Sequence, residues 1–228
     1  SADPAGYLWR TWTASTADCV ATLGFSVKVL SGSGHTWNEA LSCVLVAARV
    51  TGGTYTSASH KFEDVAAGYF FGVLRDGTRG ACWYLLRVNA GAVTVLQSSA
   101  FASSGALTSA ITPYAPNEIE LDVSDSAGNV RLRCYHRLRG VQSTIFDYTD
   151  TSGSKITTPG RYGFALNGKR TITGGIVAAQ SNFFQVTEGG GLVLRDEWAR
   201  AYRSAAVAST DTVGATTYSG VSMCCGFS

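Results

Sequence analysis

Between Glu118 and Tyr135 apolar and charged residues alternate on both sides of a short glycine-containing turn, and few structures accept that pattern. Ile119, Leu121 and Val123 are separated by Glu120 and Asp122. After Asp125-Ser126-Ala127-Gly128, Val130, Leu132 and Cys134 are separated by Arg131 and Arg133. A period of two sends successive side chains to opposite faces of a strand, so each half is a strand with one wet face. The pair reads as an antiparallel hairpin. With the turn at 125–128, Val123 is expected opposite Val130, Leu121 opposite Leu132 and Ile119 opposite Cys134. On the other face Asp122 meets Arg131 and Glu120 meets Arg133. Opposite charges directly across a ladder contribute roughly 0.2–1 kcal/mol each, and a slip of one residue would turn the apolar set to water.

The same period runs through most of the chain. Phe25, Val27 and Val29 alternate with Ser26 and Lys28, and Cys43–Val50 is a nearly continuous apolar run of strand length. Tyr69–Arg75 and Trp83–Val88 flank the turn Asp76–Gly80, and Val93–Gln97, Tyr162–Leu166 and Ile176–Val186 continue the series. About ten short strands at this spacing imply an all-β, two-sheet antiparallel sandwich. The period changes only after Gly189-Gly190-Gly191, where Leu194, Trp198, Tyr202 and Ala206 recur every four residues. We therefore expect a sandwich over 1–190 and an extension over 191–228, made of one short helix and a Ser/Thr/Gly-rich arm ending in Cys224-Cys225.

Charged residues are 15% of the 228, against about 25% in an average soluble domain, so hydroxyls and glycine must cover much of the surface. The net charge is +2, from 14 Arg and 4 Lys dispersed against 16 carboxylates. Such dispersion offers no footprint for a nucleic-acid backbone. No run approaches the roughly 18 apolar residues of a membrane-spanning helix. Neither nucleic acid nor membrane is expected as a partner.

Several segments in order carry a resemblance. Asn-Glu-Ile-Glu-Leu-Asp-Val (117–123), Asn-Val-Arg-Leu-Arg-Cys-Tyr (129–135), Phe-Asp-Tyr-Thr-Asp-Thr (146–151), Pro-Gly-Arg-Tyr-Gly-Phe-Ala-Leu (159–166) and Ser-Asn-Phe-Phe-Gln-Val (181–186) resemble the second half of concanavalin A-like, laminin-G-like jelly rolls. The pair Gly-Tyr-Phe-Phe-Gly-Val-Leu-Arg and Trp-Tyr-Leu-Leu-Arg-Val-Asn resembles their central hairpin. The likeness covers roughly residues 20 to 187 and implies a jelly-roll sandwich. Such domains serve as lectins, glycanases, adhesion modules and parts of virus particles, so fold alone does not choose among them.

Glu118, Glu120 and Asp122 share one sheet face, and glycanases of the resembled fold carry carboxylates on a strand in a similar way. Retaining hydrolysis needs two carboxyl groups about 5 Å apart, one protonated and one ionised. The order here departs from theirs, and the expected arginine partners keep Glu120 and Asp122 ionised. No catalytic residue is assigned. His35, His60 and His136 are far apart and lack zinc-type spacing, so no metal is expected. Neither Gly-x-Ser-x-Gly nor a phosphate-binding glycine loop occurs, and no cofactor is expected. Trp37, Tyr55 and Tyr114 lie in loops where their faces could stack on a sugar ring. Cys43, Cys82 and Cys134 share parity with apolar neighbours and should be buried thiols. Cys19, Cys224 and Cys225 are expected to be exposed, and so are the candidates for a disulfide to another subunit.

The expectation is a non-catalytic structural protein of a virus particle: a bacteriophage decoration, collar or tail component docking on other virion proteins or on copies of itself. Ser1–Gly6 lacks the basic-then-apolar start of a secretion signal, which favours the virion. The alternative is a secreted or fibre-borne lectin-like module that binds glycans through the three loop aromatics.

Overall fold

In the computed structural model the described residues are 7–13, 17–30, 41–52, 65–76, 80–100, 115–168, 176–189, 191–197, 210–213 and 216–219. They form a jelly-roll sandwich of two antiparallel sheets. The strands are β1 (Tyr7–Thr13), β2 (Cys19–Leu30), β3 (Leu41–Thr51), β4 (Ala67–Asp76), β5 (Gly80–Asn89), β6 (Ala92–Ala100), β7 (Asn117–Ser126), β8 (Asn129–Leu138), β9 (Val141–Asp150), β10 (Arg161–Gly168), β11 (Ile176–Glu188) and β12 (Gly191–Glu197). One sheet has the order β1-β10-β3-β4-β5-β6 and the other β12-β11-β2-β7-β8-β9. A separate hairpin joins β13 (Thr210–Val213) to β14 (Thr216–Ser219). Among the described residues no helix is long and apolar enough to cross a membrane.

Alternation explains the central core. Leu23, Phe25, Val44, Val46, Phe71, Leu85, Leu121, Leu132, Phe164 and Phe184 meet between the sheets. The first sheet is buried on its other face too, where Leu45, Ala47, Phe70, Tyr84, Leu86 and Val88 form a second apolar cluster. That is why Cys43–Val50 reads as apolar sequence broken only by Arg49: a strand covered on both faces leaves little place for a polar residue. The second sheet keeps one polar face, so its central strands β7 and β8 alternate, β7 running buried, half-buried, buried until its exposed last two residues.

The β7–β8 register differs from the expected one by two residues. Val123 lies opposite Leu132, Leu121 opposite Cys134, Asp122 opposite Arg133, Glu120 opposite Tyr135 and Glu118 opposite Arg137. The turn accounts for this. Ala127 (φ 49°) and Gly128 (φ 78°) are both left-handed, the signature of a two-residue type I′ turn whose twist suits a hairpin. Pairing therefore runs to Ser126 and Asn129, two residues further along β7 than a turn at 125–128 allows. A shift of two preserves the faces, so every residue expected inside is inside. The same turn recurs at Ala90-Gly91 (φ 50°, 76°) and Arg139-Gly140 (φ 52°, 82°).

Leu121→Ala and Leu132→Ala should each lower stability by about 2–5 kcal/mol, because both side chains are fully buried between the sheets. Chemical denaturation checks this, with exposed Ser126 as the control position that should be nearly silent.

The expected helix does not begin where its pattern does. Residues 191–197 form β12, paired with β11 from Phe183 opposite Glu197 to Glu188 opposite Gly191. A four-residue spacing is also an even spacing, and one face of a strand satisfies it as well as one face of a helix. The sandwich thus continues past residue 190. The remainder of the expected helix, 198–206, lies outside the described residues.

Candidate functional site

The polar face of the second sheet gathers the charged groups. Glu118, Glu120 and Asp122 project outward from β7 because Ile119, Leu121 and Val123 take the inward positions. Arg133, Tyr135 and Arg137 stand opposite them on β8. Arg137 Nη1 lies 2.6 Å from Glu118 Oε2 and Arg133 Nη2 lies 2.5 Å from Asp122 Oδ2. Arg131, expected on Asp122, instead grips Asp147 of β9 with two prongs, Nε to Oδ1 at 3.0 Å and Nη2 to Oδ2 at 2.7 Å. Those hydrogen bonds hold the Asp147 carboxyl below its ordinary range.

Glu120 is the member of the row that departs most from expectation. It faces Tyr135 rather than Arg133, and the Thr22 hydroxyl of β2 donates to its Oε2 at 3.3 Å. Burial raises its carboxyl above the ordinary value, outweighing the Thr22 hydrogen bond and the attraction of Arg137. Asp122 is also raised by burial, against the pull of Arg133. The expected arginine partners do not bring either carboxyl below its ordinary value: desolvation outweighs the attraction at each. On the far side of β2, the Phe183 ring seats directly on Gly24, where a Cβ would fall 2.3 Å from ring carbon Cε1. Only glycine leaves room for it there.

Two buried polar networks meet at the Ile156 backbone, at one end of the sandwich, and sequence reasoning missed both. Arg49 is 1% exposed. Its Nε donates to Ala17 O at 2.8 Å, its Nη1 to Ile156 O at 2.6 Å, and its Nη2 meets Asp18 Oδ1 at 3.3 Å and Asp125 Oδ1 at 2.9 Å. It sits in left-handed backbone (φ 53°) at an irregularity of the β3–β4 ladder, as β-bulges often require. Asp150 is fully buried and accepts from Tyr69 Oη at 2.8 Å, Arg87 Nη1 at 2.7 Å, Ser152 N at 3.1 Å and Ser152 Oγ at 2.7 Å. Burial alone would raise this carboxyl, but the hydrogen bonds from Ser152, Arg87 and Tyr69 together bring it below its ordinary value. Tyr69 in turn accepts from Ile156 N at 2.9 Å, which ties β4 to the loop after β9. One signal was available for Arg49: a lone cation inside an otherwise apolar run.

The sequence-selected residues are not brought together. Cys19 opens β2 and is a buried free thiol, 4% exposed, not the exposed one expected. Burial pushes it up to about 12, so it is a poor thiolate nucleophile for disulfide exchange. Cys134 is buried and free, as its parity implied. Trp37, Tyr55, Tyr114, Cys224 and Cys225, with His35 and His60, lie outside the described residues. Among the described residues no three His, Cys, Asp or Glu side chains group as a metal site.

His136 faces the core, its ring 5.1 Å from the Trp83 ring, with Nε2 3.1 Å from Asn117 Oδ1. Asn117 Nδ2 already donates to Ala115 O, so Oδ1 is left to accept and Nε2 carries the proton. Burial lowers this histidine from an ordinary 6.5 to about 4. The unfolded chain then binds a proton that the folded chain refuses, so stability falls as pH drops from about 6.5 to about 4. The raised Glu120 and Asp122 act with the opposite sign, since the folded chain protonates them first. Denaturation of the parent and of His136→Gln across that range isolates the histidine: the parent should lose more stability on acidification than the variant.

The chain matches no protein-family model and no curated protein sequence. Among solved structures it is similar to the xylan β-1,4-xylosidase of Bacillus halodurans C-125, at 10% identity and a TM-score of 0.43 over 77% of this chain, which spans 28% of that one. It is similar to SCP-B, an eqolisin-family peptidase in complex with the tripeptide Ala-Ile-His, at 10% identity and a TM-score of 0.41, covering 93% of this chain and 96% of that one. Peanut lectin with a nine-residue peptide gives 13% identity and a TM-score of 0.38, covering 75% and 70%.

Proposed function

We propose that this chain is a non-catalytic structural module, a component of a virus particle of the decoration, collar or tail kind, which holds its place by docking on neighbouring subunits. One observation carries the non-catalytic part. The carboxylates flanking Glu120 each have an oxygen engaged by a guanidinium, Glu118 by Arg137 at 2.6 Å and Asp122 by Arg133 at 2.5 Å. A retaining mechanism needs one of them free to attack while Glu120 delivers the proton, and a guanidinium on the attacking oxygen opposes that. The ladder instead ties β7 to β8 as a rigid surface. The particle setting rests on the sequence resemblance, and the lectin-like alternative rests on loop aromatics outside the described residues.

The test has two arms. The purified chain is assayed for hydrolysis of β-glucan and xylan and for binding on a glycan array, and its native source is fractionated to find whether it travels with a large particle. No hydrolysis, no glycan bound and co-fractionation with particles is the expected result. Hydrolysis lost in Glu120→Gln would overturn the non-catalytic reading, and selective glycan binding by a free monomer would favour the lectin-like one.

A further inference from the structure

β6 is the last strand of the first sheet, and among the described strands it pairs with β5 alone. An open strand edge presents unpaired N–H and C=O groups, and proteins usually blunt it with lysine, proline or inward charges. β6 reads Ala-Val-Thr-Val-Leu-Gln-Ser-Ser-Ala, with neither charge nor proline. The end strand of the other sheet on the same flank, β9, carries Asp147 and Asp150, both in ion pairs. The two open edges of this flank are thus treated differently.

The side chains add an independent observation. Val93 and Val95 stand opposite Val88 and Leu86 of β5, which belong to the apolar cluster on the outer face of the first sheet. Val88 and Leu86 are 0% and 2% exposed, whereas Val93 and Val95 are 43% and 52% exposed. The buried apolar layer therefore runs out onto the edge strand and ends in water. A bulge between Leu85 and Leu86 in the β5–β6 register turns Leu96 onto the central core. Ala92–Val95 is left as the regular stretch of edge.

We propose that this edge docks on a second copy of the chain, β6 against β6 about a two-fold axis, joining two first sheets into one. A two-fold brings a strand against its own reversed copy, which is the antiparallel arrangement. Residues near the axis then meet themselves or close neighbours, so a charged strand would repel itself and an uncharged one does not. With Thr94 on the axis, Val93 meets the partner's Val95 on the outer face in both directions, and each pair covers apolar surface that is wet in the single chain. The proposal names the surface for the structural role proposed above and rests on that role.

Sedimentation velocity of the full chain over a range of concentrations, with hydrogen exchange at the same concentrations, tests it. A dimer should form, its Kd should rise at least about tenfold in the double variant Val93→Lys, Val95→Lys, which sets like charges opposite each other, and Val141→Lys on β9 should leave it unchanged. Amides of 92–95 in the unmodified chain should gain protection with concentration, a readout that depends on no variant folding. A monomer at every concentration, or a dimer indifferent to the lysines, overturns the proposal. A monomer that still travels with particles would sink the β6 pairing alone. A β6 dimer that hydrolyses glycan would sink the structural role alone.

Discussion

Asp150→Ala should destabilise the sandwich by about 3–5 kcal/mol, the usual cost of removing one partner from a buried ion pair. The carboxylate is fully buried and is the common acceptor for Tyr69, Arg87 and both donors of Ser152. Without it the Arg87 guanidinium, itself 7% exposed, keeps its charge where water cannot replace the lost partner. Its Nε has no hydrogen-bond partner among the described residues, and the Ser152 hydroxyl, which also accepts from Arg87 Nη1, has no charge to replace the carboxylate. Tyr69 also loses an acceptor while still receiving the Ile156 N–H, and the loop after β9 loses its anchor to β4. A loss of that size is a large fraction of the 5–15 kcal/mol typical of a whole domain. Asp150→Asn keeps the shape and part of the hydrogen bonding and should cost less. Urea denaturation of the three proteins checks the order, and an Asp150→Ala midpoint equal to that of the parent would show that the network is not what holds the loop.

Arg49→Ala should cost about 2–4 kcal/mol by a different route. Two of the four contacts are with Asp18 and Asp125, whose side chains are 57% and 47% exposed, so solvent screens them and they contribute little. The larger loss is at the Ala17 and Ile156 carbonyls, which each lose a donor, together with the cavity left by a side chain among the largest that are fully buried. Alanine gains nothing from the left-handed backbone either (φ 53°). Asp125→Asn, which removes only one screened charge, should change stability by less than about 1 kcal/mol. Equal effects for the two variants would mean that the charges, not the carbonyls, are what Arg49 serves.

Faces were legible in the sequence and partners were not. Alternation placed Ile119, Leu121, Val123, Leu132 and Cys134 inside, because a strand with one wet face writes its orientation into every second residue. The register of the same hairpin depended on which residues could turn, and Ala127-Gly128 carries a weaker signal than Asn-Gly. The partners of Arg49 were illegible for another reason: Ala17, Asp18, Asp125 and Ile156 are far away in sequence, and nothing local announces them. Glu120 shows how one register error spreads. Placed against Arg133 it reads as an ionised half of a salt bridge, and placed against Tyr135 it is a carboxyl raised by burial.

The strand order also sets a timetable for a chain emerging from the ribosome. β4–β5–β6 and β7–β8–β9 each pair in succession, and all but one of their links are two-residue turns, so they can close within moments of synthesis. β2 is different: it lies between β7 and β11, with Cys19 opposite both Val123 and Glu188. From the completion of β7 until residue 188 is made, β2 has a partner on one side only. At typical rates of about 5–20 residues per second that interval lasts several seconds, and for that time the nascent domain carries a long unpaired strand edge that another nascent chain could capture. Pulse-labelled hydrogen exchange during refolding should accordingly find the amides shared by β7 and β8 protected before those shared by β2 and β11.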